Sequence, residues 1–416
     1  MTIKRLLTAI ALLCMISHMV EALYEGYKVL RIRVNNEEAA RALLLLEEQT
    51  PGHYDIWNMP RKLHQPVYMS SSPAGFLNLT IFLVQHNVSY NLVNTDLSRE
   101  IAREKYRNEK GRLLRYARGV WRSVPDAYKR YDEILDYLDR QTNLHSFMKV
   151  ETIGYTAESR PIKGVLISMD SSKPMVWIDA GIHAREWIAP ASAIYLIDRL
   201  LTRNGQMLLK DHQFYIVPVV NPDGYEYTHT TDRYWRKNRA VTLGEPCVGT
   251  DLNRNFPLKW GCIGASPRAC SDTYRGPEPA SELETQSIMK KLSQFREKIV
   301  LSLNLHSFGQ YILTPYGFAK YRYPPNYKNM IHLGQMAKRL IHERHGFVYQ
   351  VGSSSDLLYE AAGGSDDYLA GTMNVPYSYT IELSDEGRYG FLLPAIYIRP
   401  VGKHLWTAIK VFLQHM

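Results

Sequence analysis

Apolar and polar positions follow three regimes along the chain. YKVLRIRV (27–34) partly alternates, as a half-buried strand does, and EEAARALLLLEE (37–48) carries the spacing of an amphipathic helix. Further short strand candidates follow, LNLTIFLV (77–84) among them. This succession predicts a small α/β unit over residues 23–95, with no catalytic constellation in it. Residues 96–122, rich in Glu, Lys and Arg, read as a helical connector with a solvated surface. In the remainder, 123–416, four apolar runs rich in β-branched residues stand out: MVWIDAG (175–181), FYIVPVVN (214–221), IVLSLNL (299–305) and YSYTIEL (377–383). Helical patterns at 190–203, 280–297, 328–345 and 394–413 separate or follow them. Buried strands alternating with amphipathic helices predict an α/β domain built on a mixed or parallel sheet.

The N-terminus changes the picture. Lys4 and Arg5 precede an apolar run from Leu6 to Met15, and Val20-Glu21-Ala22 offers small side chains at a cleavage site. This predicts a signal peptide over 1–22 and a secreted, extracellular product. The run is short for a bilayer, no later segment reaches about 20 uninterrupted apolar residues, and no long apolar tail closes the chain, so no membrane association is expected. The 416 residues suit two or three globular domains. The net charge of +9 is spread along the chain and predicts no nucleic-acid partner. Its densest basic stretch, Arg103 to Arg122, reads as a processing region, with trypsin-like cleavage points at Arg112, Arg115, Arg118 and Arg122. Cys14 leaves with the signal, and the remaining Cys247, Cys262 and Cys270 imply one bridge and one spare thiol. Asn78 and Asn87 head glycosylation sequons.

Three of the four apolar runs end in groups a core would reject: His183, Arg185 and Glu186 after the first, His306 and Ser307 after the third, Glu382 and Asp385 at the fourth. Ligands of open α/β sheets bind beyond the carboxyl ends of strands. Two histidines and a carboxylate, with one position left for water, make a catalytic zinc shell, and the histidines favour zinc over magnesium or calcium. HxxE alone is a weak signal, and a lone His306 reads equally as a hydrogen-bonded core histidine. YWRKNR (234–239) and DLNRNF (251–256) set arginines in aromatic, loop-like contexts, suited to holding a carboxylate.

Joined together, these pieces resemble the A/B-type zinc carboxypeptidases. The matching stretches are GIHAREWIAP (181–190), VVNPDGY (219–225), YWRKNR (234–239), CVGTDLNRNF (247–256), ACSDTYRGP (269–277), LHSF (305–308), LYEAAGGSDDY (358–368) and IELSDEGRYGFLLP (381–394). The first block resembles the family's activation domain. The resemblance implies a mixed eight-stranded-type sheet flanked by helices, preceded by a small α/β open-sandwich domain, and a monomer with one zinc ion per chain. It implies His183, Glu186 and His306 as zinc ligands, Glu382 as general base and then acid, and Arg236 as the group polarising the scissile carbonyl. Asn253 and Arg254 match the pair holding the substrate's terminal carboxylate, Tyr359 the tyrosine that closes over it, and Arg185 and Ser307 neighbouring subsites. Cys247 and Cys270 match the family's bridge, which leaves Cys262 unpaired.

Asp366 matches the residue at the bottom of the terminal-side-chain pocket, where an aspartate goes with Lys and Arg ends. The expected partners are therefore peptide C-termini with basic ends and a trypsin-like activating protease, since a folded N-terminal block that covers the cleft keeps the precursor inactive until the connector is cut. Departures from the family pattern stand at Ser354, Ser384, Phe308 and Tyr368. The competing readings are an A-type enzyme for aromatic or aliphatic ends, a catalytically silent binding relative, and a zinc hydrolase of another bond, which would not need Arg254 and Tyr359.

Overall fold

The structure, a computed structural model, describes residues 23–50, 52–58, 66–118 and 127–416, with 112–118 described by backbone alone. The predicted signal peptide (1–22), Arg122 and the side chains of Arg112, Arg115 and Arg118 lie outside the described residues. The described chain forms two compact units. One holds the chain up to Lys110 together with Tyr227–Arg233, and the other holds Gly111–Glu226 with Tyr234–Met416.

In the first unit, β1 (Lys28–Arg33), β2 (Tyr54–Ile56), β3 (Pro66–Ser71) and β4 (Ser89–Asn94) form an antiparallel sheet in the order β2-β3-β1-β4. Helix α1 (Glu37–Gln49) starts at Asn36, whose side chain accepts the Ala39 N–H at 2.7 Å, and Glu37 and Glu38 in its first turn favour the helix dipole. Helix α2 (Pro73–Gln85) corrects an expectation, because it contains the run 77–84 read above as a strand. Two local features decide this. Ser72 caps the first turn by accepting the Gly75 N–H at 3.1 Å, and Pro73 fits the first helical position. Gly75, Leu79 and Leu83, spaced by four, then form the buried face. Asn78 is exposed on α2, and Asn87 is exposed just after it. Helix α3 (Leu97–Arg118) follows β4, and within this unit its buried Glu104 makes a two-pronged ion pair with Arg233 (Nε–Oε2 2.5 Å, Nη2–Oε1 3.1 Å).

The second unit is a mixed eight-stranded sheet flanked by helices. Its strands are β5 (Met148–Tyr155), β6 (Pro161–Ile167), β7 (Met175–Ala180), β8 (Gln213–Val217), β9 (Ile299–Ser307), β10 (Tyr311–Thr314), β11 (Gln350–Ser353) and β12 (Tyr377–Leu383), in the order β11-β10-β12-β9-β7-β8-β6-β5. The central strands β12, β9, β7 and β8 are parallel, while β10, β6 and β5 join antiparallel. Central strands are covered on both faces, so their carboxyl ends are where polar groups can gather without displacing the core. The main helices are α4 (Tyr131–Leu144), α5 (Ile188–Leu201), α6 (Leu283–Gln294), α7 (Tyr327–His345), α8 (Ser365–Gly371) and α9 (Ile398–His415). One core cluster joins α4, α5, α7 and α9 to Val176, Ile178, Leu301, Leu303, Leu305, Tyr379 and Ile381 of the sheet. A second packs Trp177, Tyr215, Ile288 and Leu369 on the other face. Among the described residues no helix is long and apolar enough to cross a membrane.

His404 of α9 is an unusual member of this core. It is 1% exposed, neither ring nitrogen has a hydrogen-bond partner, and it packs on Phe347 and His345 with ring centroids 4.2 and 5.3 Å away. Burial, with the adjacent His345 adding to it, lowers its pKa from 6.5 to about 3. Between those values the unfolded chain binds a proton that the folded chain refuses, so stability is full above pH 6.5 and falls as the pH drops toward 3. His404→Phe should lose less Tm than the parent on going from pH 8 to pH 5. A thermal-melt series showing equal losses would exclude His404 as a source of acid sensitivity.

Candidate active site

Three parallel strands deliver the central groups. Beyond the end of β7 the chain turns through Ile182, and the Glu186 N–H returns to the His183 carbonyl at 3.4 Å, so both side chains face one point. His306 lies at the end of β9 and Glu382 at the end of β12, directly opposite in the parallel register. The Ala184 N–H donates to the Arg236 carbonyl at 3.0 Å, fastening the histidine turn to the loop that carries Arg236.

His183, Glu186 and His306 are all buried and each presents a ligand atom within 4.8 Å of the others. The Nδ1 atoms of the two rings are 3.1 Å apart, with Glu186 oxygens 2.8 Å from the first and 3.2 Å from the second. Two imidazole nitrogens and a carboxylate oxygen converge on one spot, an arrangement that a shared cation satisfies. The electrostatics agree. Burial would raise the Glu186 carboxyl, yet the two rings hold it well below its usual range. Burial would depress His306, yet Glu186, Glu382 and Asp179 hold it up to about 9. Burial and the nearby Arg236 lower the pKa of His183, so its ring is offered as a neutral nitrogen, and two nitrogens with one carboxylate fit zinc.

The sequence reading gave Asp251 no role, and it proves to be the hub. It is fully buried. One oxygen faces His183 Nε2 at 3.1 Å and accepts the Asn253 N–H at 2.9 Å. The other accepts from Arg236 Nε and Nη2 at 3.1 and 2.7 Å and lies 3.8 Å from Arg254 Nη1. Burial alone would raise its pKa, but Arg236, Arg254 and His183 take it well below the carboxylate range. A carboxylate on the far nitrogen of a ligating imidazole fixes the ring and strengthens it as a donor.

The remaining predicted residues gather around this hub or beside it. Arg254 donates to the Gly264 carbonyl at 2.7 Å and to the Tyr359 hydroxyl at 3.2 Å. The Arg254 backbone lies so close to Gly363 (φ +80°) that a Cβ there would come within 2.3 Å of its carbonyl oxygen, so only glycine fits. The Asn253 side-chain oxygen accepts the Ser365 N–H at 2.9 Å. Asp366, buried in the first turn of α8, accepts from Thr380 Oγ1 at 3.0 Å, while Asp367 accepts the Gly317 and Phe318 N–H groups at 2.8 and 3.1 Å. The Ser307 N–H donates to Glu186 at 3.2 Å. Arg185 stands apart from the hub, 3.2 Å from the Tyr234 carbonyl and stacked over the Phe391 ring at 4.4 Å. Of the departures, Ser384 donates to Gln310 and Ser354 to the Thr314 carbonyl, Phe308 packs on Phe391, and Tyr368 packs on Phe256. Cys247 and Cys270 are bridged and Cys262 is exposed.

The zinc carboxypeptidase family model matches residues 134–408, and the carboxypeptidase activation peptide model matches 30–104. The chain belongs to the zinc carboxypeptidases. As a member of that family it is a metallocarboxypeptidase made with an activation peptide, and His183, Glu186 and His306 form its zinc-binding triad. It is 32% identical to carboxypeptidase A2 of Mus musculus over 402 residues, 94% of each chain. It is 40% identical to carboxypeptidase B of Astacus astacus over 292 residues, 68% of this chain and 95% of that one. Among solved structures it is similar to thrombin activatable fibrinolysis inhibitor (TM-score 0.83, 29% identity, 94% of this chain and 99% of that one). It is similar also to carboxypeptidase A from Helicoverpa armigera (TM-score 0.85, 29% identity, 94% of this chain and 98% of that one).

Asp251→Asn tests the hub. The substitution keeps the shape but removes the charge that orients His183 and balances two arginines. Zinc affinity, measured by competition with a chromogenic chelator, should fall by about 10–100-fold. Unchanged affinity would show that His183 is held without Asp251.

Proposed function

We propose that this carboxypeptidase is secreted and removes C-terminal Lys and Arg from peptides, as B-type members do. The observation that carries the preference is Asp366. It is buried, its carboxylate is oriented by Thr380, and among the described residues no cationic side chain is hydrogen-bonded to it. A buried carboxylate of this kind is stabilised by a cation supplied from outside. Full-length similarity to carboxypeptidase A2 favours a second reading, an A-type enzyme for aromatic or aliphatic ends.

In the proposed mechanism Arg254 and Asn253 hold the terminal carboxylate, so that only the last peptide bond reaches the metal. Tyr359, already 3.2 Å from Arg254, closes over the substrate. Arg185 and Ser307 line the neighbouring subsites. Bound zinc supplies a Lewis acid that polarises the carbonyl and makes water more acidic. Glu382 takes the proton of the attacking water and returns it to the leaving amine. Arg236, its charge secured by Asp251, donates to the carbonyl oxygen as it becomes anionic.

The proposed organisation is a signal peptide (1–22), an activation domain (23–95), a helical connector cut by a trypsin-like protease at Arg112, Arg115, Arg118 or Arg122 (96–122), and a monomeric catalytic domain (123–416). The leader pattern and the bridged cysteines support passage through the secretory route.

After trypsin treatment, peptides ending in Arg or Lys should be hydrolysed faster than the same peptides ending in Phe or Leu. The reverse order would overturn the reading of Asp366. Trypsin should raise activity while shortening the chain by about the mass of the first block, and full activity beforehand would contradict the precursor scheme. Glu382→Gln should keep one equivalent of zinc yet lose activity by about 10²–10⁴-fold.

A further inference from the structure

The aim of Arg236 is set by two segments of chain. Its own backbone lies in 234–239, while the carboxylate that accepts from its Nε and Nη2 belongs to Asp251. One residue, Asn238, joins the two. Its N–H donates to the Thr250 carbonyl at 3.0 Å, and its side-chain oxygen accepts the Thr250 N–H at 2.8 Å. Thr250 directly precedes Asp251, and Asn238 stands two residues after Arg236, so this clamp closes beside both members of the pair. The segments run so close there that a Cβ on Gly249 (φ +88°) would meet the Asn238 carbonyl oxygen at 2.4 Å.

The other end of the Asn238 amide rests on a pair of buried acids at the start of α6. Nδ2 donates to Glu282 Oε2 at 2.7 Å and to Glu284 Oε2 at 3.1 Å. Both hydrogens and the oxygen of the amide are thus engaged, which fixes the way it points. Asn238 and Glu284 are 0% exposed and Glu282 is 5% exposed. Among the described residues no Lys, Arg or His nitrogen lies within 4.0 Å of either carboxylate. Two negative charges on one amide in such a place repel, and a proton on one of them relieves it. Glu282 has a further donor in Ser281 Oγ at 2.7 Å, whereas Glu284 Oε1 has no hydrogen-bond partner. Burial raises the Glu284 carboxyl to about 7, with Glu282 and Asp223 pushing the same way against its own backbone N–H and Asn238. The other charged groups nearby face partners of their own, Asp223 with Arg160 at 2.7 Å and Arg239 with Glu158 at 3.9 Å.

We propose that Asn238 is the positioning residue for Arg236, and that Glu284 anchors it as a neutral acid. The clamp holds Arg236 and Asp251 at one separation, so the guanidinium meets the carbonyl oxygen without rearranging as charge develops there. Arg254 is tied separately, to the Gly264 carbonyl and the Tyr359 hydroxyl, so the clamp bears on turnover and not on substrate binding. The proposal rests on the reading of Arg236 given under the proposed function.

The test uses the trypsin-treated full chain and the peptide it hydrolyses best, with kcat and KM measured for Arg236→Ala, Asn238→Ala and the double variant. Each single change should lower kcat by about 10–100-fold with little change in KM. Asn238→Ala should cost nothing further once Arg236 is gone. Losses that multiply in the double variant would mean that Asn238 acts on the fold at large, and would overturn the proposal. If Arg236→Ala keeps its kcat, the reading of Arg236 fails and the proposal with it. If only Asn238→Ala keeps its kcat, the proposal alone fails. Glu284→Gln is neutral at every pH and keeps the length of the side chain, so it should match the parent, while Glu284→Ala should fall as Asn238→Ala does. A Gln variant as slow as the Ala variant would overturn the role given to the neutral acid. If Asn238→Ala does not fold, Asn238→Asp replaces it in the cycle. That change keeps the size and the Thr250 bond but sets a third carboxylate against Glu282 and Glu284, so kcat should fall, and an unchanged kcat would overturn the proposal.

Discussion

Asp251 carries one negative charge in a place without solvent, and four positive or donor groups depend on it. His183, Arg236, Arg254 and the Asn253 N–H all converge on its two oxygens. Arginines buried without a counter-charge would be strongly destabilising, so removing this carboxylate would cost more than one contact. The arrangement also links tasks that belong to different parts of a reaction. The same group orients a metal ligand, pairs with Arg236, which is proposed to meet the reacting carbonyl, and steadies the pair proposed to hold the substrate's end. Geometry at the metal and geometry at the substrate terminus cannot drift apart while both lean on one side chain.

The sheet explains how so much polarity is tolerated. Its central strands divide their faces: leucines on one side of β9 pack against α5 within the core that α9 joins, while serine, asparagine and histidine occupy the other. Each polar row is stabilised by partners from adjacent strands, as Asp179 is by Trp177 and Asn304. The apolar face supplies the burial that keeps the sheet together, of order 25 cal/mol per Å² of apolar surface. The polar face is thereby free to serve chemistry.

Much of this was legible in the sequence, for definable reasons. The runs at 175–181, 299–305 and 377–383 are strands, and His183, Glu186 and His306 beyond or at their ends meet, because parallel strands bring their carboxyl ends to one edge, whereas Asp385 turns to cap the loop that follows it. The run 77–84 misleads because its apolar content fits either element. The deciding residues, Ser72 and Pro73, stand before it rather than within it. Asp251 was hidden for another reason. It sits in a loop, and its partners His183 and Arg236 lie 68 and 15 residues away, so no local pattern marks it.

The Cys247–Cys270 bridge closes the segment that contains Asp251, Asn253 and Arg254. Such a closure removes about 3 kcal/mol of freedom from the unfolded chain. Hydrogen bonds from Asp251 to Tyr274 and from Phe256 to Gly363 hold the same span in the folded chain, so the bridge acts chiefly on the unfolded state: a reducing environment would widen what the chain must search before Asp251, Asn253 and Arg254 come together.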